Sequence, residues 1–156
     1  MDSTKVKSSL QDLIQRLLDA EKGYIEIINA SSNVIINQWL DKYAKERHEM
    51  HKILEGEVIK LGGHPDVHTT FLGELHRMFI DIKISNTSAE NEFPAIVTEI
   101  KRGANVLIND YNKILQDVDL TPALATLLKS QKSLIEREVE SLKSLEGELE
   151  KEYENI

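Results

Sequence analysis

Cysteine is absent from the 156 residues of this chain, which excludes disulfides, thiolate nucleophiles and cysteine-ligated zinc. Proline occurs three times and glycine seven times, and the prolines fall at three breaks: LGGHPD, which also holds Gly62 and Gly63, ENEFPA and DLTPAL. Alternating aromatic and β-branched residues of the strand type are missing apart from the short run NVIIN. Basic residues are in deficit, 19 against 27 acidic, for a formal charge of −8. Nucleic-acid phosphates and anionic membrane surfaces both require a basic face, so neither is an expected partner. No apolar run approaches the roughly 20 residues that span a bilayer. The opening MDSTKVKSSL lacks the apolar core of a signal peptide, so a cytoplasmic location is expected. There is no serine nucleophile motif and no glycine-rich phosphate loop, since LGG after Lys60 reads as a helix stop.

What remains is helix, read from the roughly 100° step between residues. Over 3–29, Val6, Leu10, Leu13, Ile14, Leu17, Tyr24 and Ile28 share a face. INASSN breaks the pattern, with Ser31 or Ser32 expected as the next N-cap. A second helix over 33–61 turns Ile36, Trp39, Tyr43, Met50, Ile53, Leu54 and Leu61 inward, and Gly62 and Gly63 end it. A shorter amphipathic piece is expected over 67–85, carrying Phe71, Leu75, Met78, Phe79 and Ile82. A third long helix over 89–117 aligns Phe93, Ile96, Ile100, Leu107, Tyr111 and Ile114. Thr121-Pro122 then supplies a cap and a proline at the first helical position of a last helix over 121–154. Two hairpins joined by a long helical crossover predict an all-α, ferritin-like four-helix bundle, one domain over residues 1–156. In the last helix Leu142, Leu145 and Leu149 are expected in the same core, although their spacing also suits a seam with a second chain, and a homodimer stays open.

A bundle of this kind gains chemistry only through polar residues on its inner faces. A two-metal core needs a glutamate from each of two helices and a Glu-x-x-His pair from each of the others. In YAKERHEMHK, Glu46 is followed three residues later by Glu49, and His48 and His51 are preceded at that spacing by Lys45 and His48. Taking Met50 as zero, Tyr43 falls near about +20°, His51 near 100° and His48 near 160°. His48 is therefore expected in solvent and His51 at the flank, as parts of a wet helix face.

The inward polar residues are others: Glu21, Glu46, Arg47, Gln131 and Glu138, with Gly103 and Ala104 at the inner mid-point of the third long helix. Buried charges must pair, bind a cation or reach water. In one reading Arg47 neutralises Glu21 and Glu46 or Glu138, giving a cluster that fixes helix register. In the other, Glu21, Glu46 and Glu138 hold a divalent cation, iron, manganese or magnesium, with help from water. A third leaves room beside Gly103 for a small ligand near Tyr24 and Tyr111. His64 and His68, flanking Pro65-Asp66, read as turn residues.

Four stretches together resemble a bacterial ferritin-like four-helix-bundle family of unknown function: LQDLIQRLLDAEKGY, LGGHP, LGELHRMFIDIK and IVTEIKRGANVLINDYNKIL. Leu10, Asp12, Leu13, Ile14, Asp19, Glu21, Gly23 and Tyr24 match its first-helix pattern, and Leu75, His76 and Arg77, with Asp81 and Lys83, its crossover motif. Where that family has Glu-Arg-Gly-Glu, this chain has Lys101, Arg102, Gly103 and Ala104, so both acids are gone. The resemblance implies the bundle fold, a bacterial cytoplasmic setting and a stress-related role; read from the residues themselves, His76 and Arg77 are expected to anchor the crossover helix to the bundle, for instance against an acidic side chain. The leading expectation is a non-enzymatic structural or interaction protein without a cofactor, a homo-oligomer, with a dimer favoured, and with any other protein partner not identified by the sequence. The alternatives are a metal-binding protein or oxidase using core glutamates, and a small-ligand binder.

Overall fold

The computed structural model describes residues 2–68 and 89–154, in which four helices pack as an all-α bundle: α1 (Ser3–Ala30), α2 (Val34–Lys60), α3 (Ala89–Asp117) and α4 (Pro122–Glu154). None of these helices is long and apolar enough to cross a membrane. The expected crossover helix, and with it His76 and Arg77, lies outside the described residues, apart from Val67 and His68 in non-helical backbone. There the His68 N–H donates to Asp66 Oδ1 at 3.0 Å, closing an Asx turn.

Local chemistry sets the ends. Asp2 caps α1, its carboxylate accepting from the N–H groups of Thr4 at 3.0 Å and Lys5 at 3.4 Å. The cap of α2 is Asn33 rather than Ser31 or Ser32. Its side-chain oxygen accepts from the Ile36 N–H at 3.0 Å, while Ser31 Oγ accepts from the Asn33 N–H at 3.2 Å and holds the turn. At the far end of α2, Gly62 takes a φ of 83°, a left-handed conformation that a side chain would strain. Thr121 Oγ1 accepts from the Leu124 N–H at 3.3 Å and caps α4.

Contacts between helices fix their directions. The two hairpins α1–α2 and α3–α4 form the closest pairings, and α1 also meets α3 while α2 meets α4. Lys5 Nζ donates to the Asp117 carbonyl at 3.1 Å and Arg16 pairs with Asp110, so α3 runs antiparallel to α1. Trp39 Nε1 donates to Ser141 Oγ at 2.9 Å and Gln131 Nε2 donates to the Met50 carbonyl at 3.1 Å, so α4 runs antiparallel to α2. It follows that α2 and α3 are parallel, and the chain between them joins opposite ends of the bundle.

The core is divided in two. One apolar cluster gathers Leu10, Leu13, Leu17, Met50, Leu54, Leu107, Leu128 and Ile135, and a second gathers Tyr24, Ile27, Trp39, Tyr43, Ile100, Leu142 and Leu149. Leu142, Leu145 and Leu149 are thus core residues of this chain rather than an open seam. At 25 cal/mol per Å², each fully buried leucine contributes roughly 1.5–3 kcal/mol. Between the clusters every helix but α3 presents a buried charge: Glu21 on α1, Arg47 on α2 and Glu138 on α4. On α3 the same level carries Ala104, buried, and Gly103, exposed, so the space expected inside the core beside Gly103 is on the outer face instead.

Candidate metal centre

The polar layer splits into two groups. In the first, Arg47 and Glu138, 1% and 0% exposed, form an ion pair through Nη2 and Oε2. The Tyr24 hydroxyl donates to the other carboxylate oxygen at 2.6 Å, and Arg47 Nη1 lies 3.8 Å from Met50 Sδ. Two turns along α4 from Glu138, the Tyr111 hydroxyl donates to Gln131 Oε1 at 2.6 Å, and Gln131 reaches the Met50 carbonyl. Burial pushes the Tyr24 and Tyr111 hydroxyls above the ordinary tyrosine range, with the Arg47 charge opposing the shift in both. Glu138 is thereby committed to Arg47 and Tyr24, and a metal ion would have to displace a guanidinium to use it.

The second group faces α1. Glu21 Oε1 lies 2.7 Å from His51 Nε2, and Glu21 Oε2 lies 3.0 Å from His48 Nδ1. On the other side of the His51 ring, Nδ1 lies 2.6 Å from Glu55 Oε2, while Lys52 Nζ approaches the remaining Glu55 oxygen at 3.4 Å. The rings of His48 and His51 stand edge to face with centroids 5.0 Å apart. Glu21, His51 and Glu55 are buried, whereas the His48 side chain is 46% exposed and opens the cluster to water.

Helix geometry explains the convergence. His48, His51 and Glu55 follow one another at spacings of three and four, which puts them on one face of α2. That face meets α1, where Glu21 stands one turn from both Leu17 and Tyr24. One donor atom from each of Glu21, His48 and His51 lies within 4.8 Å of the other two, and among the described residues this is the group of three or more potential ligands that comes together. An ion bonded to nitrogen and oxygen at roughly 2.0–2.2 Å needs its ligands about 3–3.5 Å apart. The Glu21–His51 distance of 2.7 Å falls just short of that span and the Glu21–His48 distance of 3.0 Å sits at its lower edge, so each glutamate–histidine pair needs to open only slightly to share a cation.

The expected set of Glu21, Glu46 and Glu138 is not gathered into such a group. Glu138 belongs to Arg47, Glu21 to the histidines, and Glu46 is half-buried with Oε1 lacking a hydrogen-bond partner among the described residues. The register-fixing reading has its counterpart in Arg47–Glu138 and in Gln131, with the difference that Glu21 is not part of that pair. His51, expected at the flank, is 2% exposed, because α2 has two neighbours and its buried arc is correspondingly wide. His64 is exposed, and His68, exposed as well, pairs with Asp66 at 2.7 Å. The signal available in the sequence was the His-x-x-His-x-x-x-Glu spacing of 48–55 opposite an inward glutamate. An open groove between α1 and α3, floored by Leu13 and Ile114 and walled by Arg16, Asp19, Asp110 and Lys113, does not include the cluster.

A family profile described as a domain of unknown function, DUF2383, matches residues 5–117, well over half of the chain. No curated protein and no solved structure matches it.

Proposed function

This chain belongs to the DUF2383 family, and from that premise we propose that it is a single-domain, ferritin-like bundle that binds one divalent metal ion through Glu21, His48 and His51 as a non-enzymatic binding protein. The observation that carries the proposal is the convergence of one carboxylate and two imidazoles on a partly open face, backed by a buried second carboxylate. Two imidazoles and a carboxylate are a ligand set that divalent transition metals favour. The ferritin-like reading is supported by the parallel α2 and α3 helices, which demand one long connection. The described groove between α1 and α3 lies on another face and does not include these three residues. The bacterial, cytoplasmic and stress-related setting implied by the motif resemblance belongs to the same proposal.

Elemental analysis of the purified protein, followed by melting with and without Zn²⁺ or Co²⁺, tests it. One ion per chain is expected. Free metal at a hundred times Kd adds about 2.7 kcal/mol of stability, or roughly 5–10 °C in Tm for a chain of this size. Glu21→Ala and His51→Ala abolish the rise. No bound metal and no shift would reduce Glu21, His51 and Glu55 to a hydrogen-bonded clip between α1 and α2.

A further inference from the structure

We infer that Glu55 is the positioning residue of this centre, and that by orienting His51 it makes the site select imidazole-preferring metals such as Zn²⁺, Co²⁺ and Fe²⁺ over Mg²⁺ and Ca²⁺. The inference rests on the metal-binding reading above and says which side chain tunes the site and for which class of ion.

The argument begins with the two nitrogens of His51. A neutral imidazole has one N–H donor and one lone pair, and whichever nitrogen holds the proton decides where the lone pair points. Glu55 Oε2 lies 2.6 Å from Nδ1 and, as a carboxylate, can only accept an N–H there, so a metal ion would take the place of a proton on Nε2, the nitrogen aimed at Glu21. Glu55 lies across the ring from Glu21, so it cannot ligate the same ion without turning the imidazole over. Its other oxygen faces Lys52 at 3.4 Å, and the carboxylate is itself buried. A fixed carboxylate behind a ligating histidine sets the ring's tautomer and orientation and raises its strength as a ligand, and removing such a partner typically weakens metal binding about 10–100-fold.

The donor set then becomes specific. His51 contributes Nε2, His48 contributes Nδ1 and Glu21 a carboxylate oxygen. Two nitrogens and one oxygen suit metals that accept imidazole, whereas Mg²⁺ and Ca²⁺ take oxygen ligands, six or more of them. Three protein ligands leave at least one position, which the exposed side of His48 opens to water. Without the hydrogen bond from its Nδ1–H to Glu55, His51 is free to present its N–H to Glu21, and the chain falls back on a carboxylate with one exposed imidazole.

Cobalt reports on this directly, because the intensity and position of its visible absorption depend on ligand number and geometry. The full-length protein is titrated with Co²⁺, and Zn²⁺, Mg²⁺ and Ca²⁺ are then added in competition. The same titrations are run on Glu55→Ala and Glu55→Gln, with far-UV circular dichroism reporting the fold. Wild type is expected to bind one Co²⁺ with a visible spectrum of low coordination number, displaced by Zn²⁺ and not by millimolar Mg²⁺ or Ca²⁺. Glu55→Ala is expected to bind about 10–100-fold more weakly with an altered spectrum. Glu55→Gln, whose amide oxygen still accepts from Nδ1, is expected to fall between and to retain the wild-type spectrum. If Glu55→Ala does not fold, the glutamine variant decides through its affinity and spectrum together. Wild-type protein that takes up neither Co²⁺ nor Zn²⁺ would sink the metal-binding reading and this inference with it. Wild-type binding that is unchanged in affinity and spectrum in both Glu55 variants would overturn the positioning role alone, and equal competition by Mg²⁺ would overturn the selectivity.

Discussion

Arg47→Met is the substitution that probes the bundle most sharply. The guanidinium is 1% exposed and is ion-paired with a carboxylate that is 0% exposed. Removing it leaves Glu138 charged and buried, with only the Tyr24 hydroxyl, at 2.6 Å, to solvate its side chain among the described residues. Breaking a buried pair from one side typically costs about 3–5 kcal/mol, which for a chain of this length is roughly 6–20 °C in Tm. Replacing both partners avoids the uncompensated charge, so Arg47→Met combined with Glu138→Leu recovers most of that loss. The Tyr24 hydroxyl would then lack an acceptor, at about 1–3 kcal/mol, and adding Tyr24→Phe removes this remainder. The triple variant is expected within about 1 kcal/mol of wild type, or above it, since well-packed apolar replacements of buried pairs are often neutral or stabilising. Urea unfolding followed by tryptophan fluorescence measures the series, because the single tryptophan, Trp39, is 9% exposed and reports on the neighbouring cluster. A single variant costing under about 1 kcal/mol, or a triple variant no more stable than the single, would refute the account of Arg47 as the cation that neutralises the core.

Two further outcomes follow from the geometry. Tyr24 and Tyr111 are held protonated by burial, so above pH ~10 the unfolded chain loses protons that the folded chain keeps, and stability falls as pH rises. Absorbance at 295 nm during alkaline titration should show these two tyrosines ionising together with the loss of helix; ionisation of all four tyrosines at about pH 10 in folded protein would contradict their burial. Gly103→Ala should stabilise by about 0.5–1 kcal/mol, since the glycine is mid-helix and a Cβ there meets nothing within 4 Å. Thermal melting checks it, with Gly62→Ala, at a φ of 83°, as a control of opposite sign.

The fold was legible because the four long stripes are strongly periodic and the breaks between them carry caps, glycines and prolines. Leu10, Leu13 and Leu17 on α1, or Leu128, Ile135 and Leu142 on α4, need no tertiary information to be placed inward. The α2 cap was not legible at one-residue precision, since Ser31, Ser32 and Asn33 are all good caps and the choice depends on how the turn closes. His51 was missed for a different reason. A stripe centred on Met50 describes a helix with one neighbour, but α2 packs against both α1 and α4. Counting equally outward from the turn at Ser32 puts Glu21 opposite about residue 43, not residues 48–51. Side chains on a helix tilt toward its N-terminus, so on antiparallel helices Glu21 reaches away from the turn while His48 and His51 reach back toward it. The two tilts add, and the pairing skips more than a full turn.

The same arrangement explains why a metal would bind at the flank and not on the bundle axis. Arg47 carries a guanidinium, and it stands at the level where the glutamates of three helices were expected to converge. At about 6 Å and an effective dielectric of about 20, a divalent ion beside it would meet roughly 5 kcal/mol of repulsion. Glu138 gains more from the guanidinium already in place, and its second oxygen is taken by Tyr24. Glu21, one helix away, has no share in that pair and turns to His48 and His51. At this level α3 carries Ala104, packed against the core, and so adds no axial carboxylate there. The bundle's centre is neutralised from within, and the ligands left over are those on the α1–α2 face.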